Sequence, residues 1–147
     1  MGTHPTFARA ALGGFVGTLA MTAMMYLVAP MMGLHMDIAA MLGSMLDGSW
    51  TAGLMMHFVN GSVIFPAIYA YALYARLHGS PAIRGTVWGV ALWLIAQTVV
   101  MPVMGAGVFS SAMGGMMAAM GSLIDHVLYG SLLGVIASAP ELRVAHA

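Results

Sequence analysis

The sequence predicts an all-α integral membrane protein, with four transmembrane helices forming one bundle from two similar helical hairpins. Three observations carry this. Of 147 residues, 61% are hydrophobic and only 5% are charged, far below the roughly one quarter charged that covers a soluble domain. Four runs, 7–29, 52–75, 83–103 and 121–139, approach the ~20 apolar residues that a helix needs to cross the hydrocarbon core. Lipid also offers no partner for backbone N–H and C=O groups, so single-chain spans of this kind are helical. The runs are too few and too uniformly apolar for the alternating strands of a barrel. Residues 1–147 read as one membrane domain.

Composition also excludes function classes. The formal net charge is zero, so there is no basic patch with which to hold nucleic-acid phosphates. The chain has no cysteine, which removes disulfides, thiolate metal sites and cysteine nucleophiles.

The first run follows His4 and Arg9 and continues to Ala29. That is longer than the roughly 7–15 residue apolar core of a signal peptide, so it reads as a retained transmembrane helix. Next come Met31–Thr51, where Asp37 is suited to cap a helix and Gly48 to stop one; a short interfacial helix is expected near 37–46. The second run contains His57 in apolar surroundings, with Gly53, His57 and Gly61 four residues apart on one helix face. The third holds Gln97, expected to make an interhelical hydrogen bond. The Gly- and Met-rich segment 105–120 is expected to be a loop against the bilayer. The fourth run starts with Asp125 and His126 and repeats the earlier device as Ser122, His126, Gly130 and Gly134.

The arginines set the orientation. Arg9, Arg76, Arg84 and Arg143 flank the termini and the connection between the second and third runs, and the other two connections have no Arg or Lys. The positive-inside rule then puts both termini in the cytoplasm, His57 and His126 near the outer face, and Trp50, Trp88, Tyr71 and Tyr74 in interfacial belts.

The two halves resemble each other. Gly17, twelve residues, then Pro30-Met31-Met32-Gly33 matches Gly89, twelve residues, then Pro102-Val103-Met104-Gly105. His57 to Gly61 corresponds to His126 to Gly130, and Gly43–Asp47 resembles Gly121–Asp125 at a different distance from the histidine. Each unit is a hairpin of the same orientation, which is a parallel repeat about an axis along the membrane normal. Gly13–Gly17, Gly85–Gly89 and Gly130–Gly134 form Gly-x-x-x-Gly faces, which build close helix packing in lipid. Such faces serve the bundle itself or contacts with other membrane proteins or a second copy.

Ionisable groups within a membrane require partners. His57 and His126 are the candidate cofactor- and metal-binding residues, with Asn60, Tyr129 and Asp125 as helpers. A neutral imidazole bonded to one of these or to a carbonyl is the structural reading. The functional reading is a ligand pair for haem b, with Gly61 and Gly130 leaving room for the ring, or for copper. A tetrahedral zinc site needs more ligands, from Asp125, Asp47 or water. Methionine is abundant, 17 in 147 residues. Met31, Met32, Met36, Met41, Met45, Met55 and Met56 surround one outer loop, and Met101, Met104, Met113, Met116, Met117 and Met120 the other. Thioethers select Cu(I), though methionine is also an adaptable apolar filler. No Ser-His-Asp order, phosphate-binding loop or carboxylate pair is evident, so no enzymatic activity is expected.

Gly14-Phe-Val-Gly-Thr-Leu-Ala-Met-Thr22, Pro30-Met-Met-Gly33, Asp37-Ile38, Leu42-Gly43, His57, Arg84-Gly85, Pro102-Val-Met-Gly105 and His126 to Gly130 together resemble a family of small uncharacterised bacterial four-helix inner-membrane proteins, a domain of unknown function. The resemblance covers nearly the whole chain and rests on packing motifs. It implies a multi-pass protein of the bacterial inner membrane and assigns no catalytic or binding residue. The leading expectation is a non-catalytic accessory or assembly subunit of a larger membrane complex. Haem b or copper binding by His57 and His126 is the alternative, and a small transporter the second alternative.

Overall fold

A computed structural model describes residues 4–139. Arg143, one of the four arginines behind the orientation, and the C-terminus lie outside the described residues. Those described are helical and contain no strand. Four helices are long and apolar enough to cross a membrane: Phe7–Met32 (span 1), Trp50–Leu73 (span 2), Pro81–Val103 (span 3) and Gly115–Ala137 (span 4).

Span 4 begins earlier than the expected 121, because Gly115–Met120 forms its first turns instead of a loop. Gly114 and Gly115 take positive φ values of 81° and 59°, a conformation open to glycine without steric cost, and this turns the chain into the helix. The expected helix near 37–46 is Ile38–Ser44, and Asp37 caps it by accepting from the Ala40 N–H. The chain then turns through Asp47 and Gly48, both at positive φ, into span 2.

Three wide π turns, Met24–Val28, Asn60–Ile64 and Ala96–Val100, each end two residues before a proline, Pro30, Pro66 and Pro102; another, Tyr69–Leu73 in span 2, is not followed by one. A helical proline lacks the N–H and its ring collides with the carbonyl four residues back. The residue before each proline instead bonds five residues back: Ala29 to Met24, Phe65 to Asn60 and Met101 to Ala96. The wider turn makes room for the ring. The first and third of these turns fall at matching places beside the similar stretches Pro30–Gly33 and Pro102–Gly105. Each leads into a glycine at positive φ, Gly33 at 76° and Gly105 at 79°. Matching hydrogen bonds close the two ends, Leu34 N–H to Ala29 and Ala106 N–H to Met101.

Span 1 packs against spans 4 and 2, and span 3 packs on span 4. Spans 2 and 3 meet through Phe65 and Trp88, whose ring centroids are 6.5 Å apart. Glycines make these approaches possible. A Cβ on Gly85 would run into the Gly130 carbonyl, one on Gly89 into that of His126, and one on Gly134 into that of Pro81. Gly13 and Gly17 lie against Leu133 and Tyr129. The three Gly-x-x-x-Gly faces are thus consumed inside the chain, which leaves none of them open to another protein.

One end of the molecule gathers Arg9, Arg76 and Arg84. There Phe7 stacks on Tyr71, Ser138 donates to Tyr74, and the Arg84 guanidinium lies 4.8 Å from the Tyr74 ring centroid. Tyr74 and Trp88, expected in interfacial belts, are core residues at 7% and 8% exposure; Tyr71 is exposed. At the opposite end, the carboxylate of Asp37 accepts from Tyr26 at 2.5 Å and from Trp50 Nε1 at 3.0 Å. These bonds fasten the short helix to spans 1 and 2. Gln97 is fully buried and pairs with Ser110 of the 104–114 connection at 2.9 Å, not with another span.

Candidate functional site

The four spans and the short helix surround a cavity of about 490 Å³, within the ~300–1,000 Å³ range of small-molecule sites. Methionine supplies more of its lining than any other residue type, and His57, His126, Asn60 and Asp125 are among its few polar residues. Both histidines singled out in the sequence thus line the same cavity.

Their depths are not equal. His126 lies midway along Gly115–Ala137, and His57 is bonded to Thr22, ten residues before the end of span 1 at Met32. At ~1.5 Å rise per residue the Thr22 contact is about 15 Å from the Asp37 end, while His57 is the eighth residue of span 2, about 10 Å from its start at Trp50, so His126 lies mid-span and His57 closer to the Asp37 end.

Each ring is held in one tautomer. His126 Nδ1 is 2.7 Å from the Ser122 carbonyl. A carbonyl only accepts, so Nδ1 carries the proton and Nε2 keeps its lone pair. His57 Nε2 is 3.1 Å from Thr22 Oγ1. The single hydroxyl hydrogen of Thr22 is given to the Thr18 carbonyl at 2.6 Å, so Thr22 must accept from His57. His57 therefore carries its proton on Nε2 and its lone pair on Nδ1. Thr22 was missed by sequence reasoning. Its signal was its place in the Thr18-x-x-x-Thr22 face, readable only once span 1 is set beside span 2.

The helpers fare unevenly. Asn60 and Asp125 line the cavity. Tyr129 does not serve either histidine: its hydroxyl donates to the Gly61 carbonyl at 2.7 Å and ties span 4 to span 2. Nor do Gly61 and Gly130 leave room for a haem ring. A Cβ on Gly61 would strike Thr18 Oγ1, and one on Gly130 the Gly85 carbonyl, so both are filled by helix packing. Asp47 lies in the turn after the short helix, and no group of three or more His, Asp or Glu residues could hold a metal among the described residues.

The methionines divide. Met32, Met36, Met101, Met117 and Met120 of the two expected sets line the cavity, joined by Met21, Met24 and Met25, which the sequence gave no reason to single out. Met31, Met45, Met55, Met113 and Met116 are exposed away from the cavity, and Met32, Met117 and Met120, at its rim, are largely exposed as well.

Residues 5–146 match the model of a family of unknown function, DUF6789. The chain belongs to that family. No curated protein and no solved structure matches it. Membership agrees with the resemblance seen in the sequence and leaves the cavity as the guide to function.

Proposed function

We propose that this is a non-catalytic membrane protein that holds a small cofactor or metal guest in the cavity between its spans. His57 and His126 would be the fixing points. The observation that carries this reading is a pair of imidazole lone pairs without a hydrogen-bond partner among the described residues, on two histidines that line one methionine-rich cavity. A site that is mainly apolar, with a few convergent polar groups, is the ordinary form of a ligand site.

We further propose that the setting is the bacterial inner membrane, with the arginine end in the cytoplasm, and that the spans form one four-helix bundle of two parallel-repeated hairpins. The corresponding π turns, prolines and left-handed glycines of spans 1 and 3 support the repeat. An accessory role fits a chain with little mass outside the bilayer, which would keep or deliver its guest for a larger complex. Partners would meet the lipid-facing surfaces, since the glycine faces are occupied.

The test is to purify the native protein in mild detergent and determine metals, absorbance and solvent-extractable compounds. A stoichiometric guest, lost in both His57→Ala and His126→Ala, is expected; a Soret band would identify it as haem. A clean preparation without any guest, or a guest indifferent to both substitutions, would refute the proposal.

A further inference from the structure

We infer that the guest is a soft monovalent metal ion, Cu(I), bound through His57 Nδ1 and His126 Nε2, with methionine thioether sulfur completing its shell. This rests on reading the cavity as a guest site.

The first argument is the arrangement of protons. A metal-ligating histidine normally gives its other ring N–H to a fixed acceptor, which sets the tautomer and raises the basicity of the ligating nitrogen. Both histidines do this, His126 to the Ser122 carbonyl and His57 to Thr22 Oγ1. The Thr22 hydroxyl is in turn held by the Thr18 carbonyl. An apolar organic guest would leave both lone pairs buried without a partner, which is costly.

Donor chemistry selects the ion. Two neutral imidazoles are too few for a tetrahedral zinc site, and no third His or carboxylate joins them in a cluster among the described residues. What the cavity offers in quantity is thioether sulfur, which prefers Cu(I). Met21 adjoins Thr22 in the chain, Met25 lies about one turn further toward the Asp37 end, and Met120 lines the cavity from span 4. Met32, Met36 and Met101 continue this lining toward the Asp37 end. A soft ion could pass between such ligands by exchange without meeting a hard, strongly hydrated group. Filler methionine accounts for the sulfur but not for two histidines of the same cavity whose lone pairs have no partner among the described residues.

Charge balance points the same way. Asp125 lines the cavity, and its carboxylate would neutralise one positive charge. A divalent ion would leave a net charge in the middle of the spans, where burial is most costly.

The full-length protein in detergent should be titrated with Cu(I), kept reduced under anaerobic ascorbate, against a chromogenic Cu(I) chelator. One ion per chain is expected, with nitrogen and sulfur both visible in X-ray absorption. His57→Ala and His126→Ala should each weaken binding more than tenfold. Thr22→Val keeps every ligand and removes only the acceptor of the His57 N–H; it should weaken binding roughly tenfold, which decides the matter even if a histidine variant misfolds. Uptake no greater than that of empty micelles, a shell without nitrogen, or binding unchanged in Thr22→Val would overturn the inference. A native preparation carrying an organic guest lost in both histidine variants, yet taking up no Cu(I), would remove copper and leave the cavity reading intact. Absence of any guest would remove both.

Discussion

Asp37 shows how one side chain can serve several elements. Burial alone would raise its pKa, but donation by Tyr26, the Ala40 N–H and Trp50 outweighs it and holds the carboxyl below the usual range. A depressed folded-state pKa contributes stability that is complete above the unfolded value, 3.8, and lost as the pH falls through the folded one. Protection of the Ile38–Ser44 amides, relative to the intrinsic exchange rate at each pH, should therefore be independent of this group from neutral pH down to about 4 and fall below it. Asp37→Ala should bring the lower protection to neutral pH. Losing the cap alone costs about 0.5–2 kcal/mol, and the bonds from Tyr26 and Trp50 go with it. Unchanged protection in that variant would show that the short helix is held by Ala39 and Leu42 packing alone. The cap was legible in sequence, since an aspartate directly before a mainly apolar stretch that a glycine stops is a local signal. Its bonds to Tyr26 and Trp50 were not, because they join three separate elements.

At the scale of elements, the helix pairs are governed by how much room each glycine leaves. A Cβ at Gly85 would overlap the Gly130 carbonyl deeply, whereas one at Gly13 would only press on the Leu133 backbone and the Ile136 side chain, at 3.0–3.2 Å. Overpacking typically costs about 1–3 kcal/mol, so Gly85→Ala should fall at or above the top of that range and Gly13→Ala near its bottom. Thermal unfolding in detergent would rank them; equal losses would mean that spans 3 and 4 can part without penalty. Gly33→Ala is a different case. It meets open space but has φ at +76°, so its smaller loss, ~1 kcal/mol, would be backbone strain alone. The spans themselves were easy to read, because hydropathy over some twenty residues is a strong signal. The start of span 4 was not, because Gly114 to Met120 is poor in the features that distinguish a helix from a loop. The π turns were hidden as well: Pro66 marks one, but nothing local reveals that Pro30 and Pro102 sit behind the same device.

At the scale of the whole molecule, the histidine pair was legible as a likeness between two halves, while its environment was not. That His57 and His126 share a cavity depends on span 1 packing against both span 2 and span 4, an order that no local pattern encodes. The same order gathers Arg9, Arg76 and Arg84 at one end and Asp37 at the other, which makes the proposed orientation a single yes-or-no question. Positive loops are retained in the cytoplasm, and the chain has no native cysteine, so one introduced thiol reports one position. Ser44 and His78 are both exposed, at opposite ends. In intact cells stripped of the outer barrier, a membrane-impermeant thiol reagent should label Ser44→Cys and leave His78→Cys unmodified until the membrane is opened. The reverse pattern would invert the protein. The methionine-lined side of the cavity would then face the cytoplasm, and a guest arriving from outside would lose its route to His57 and His126.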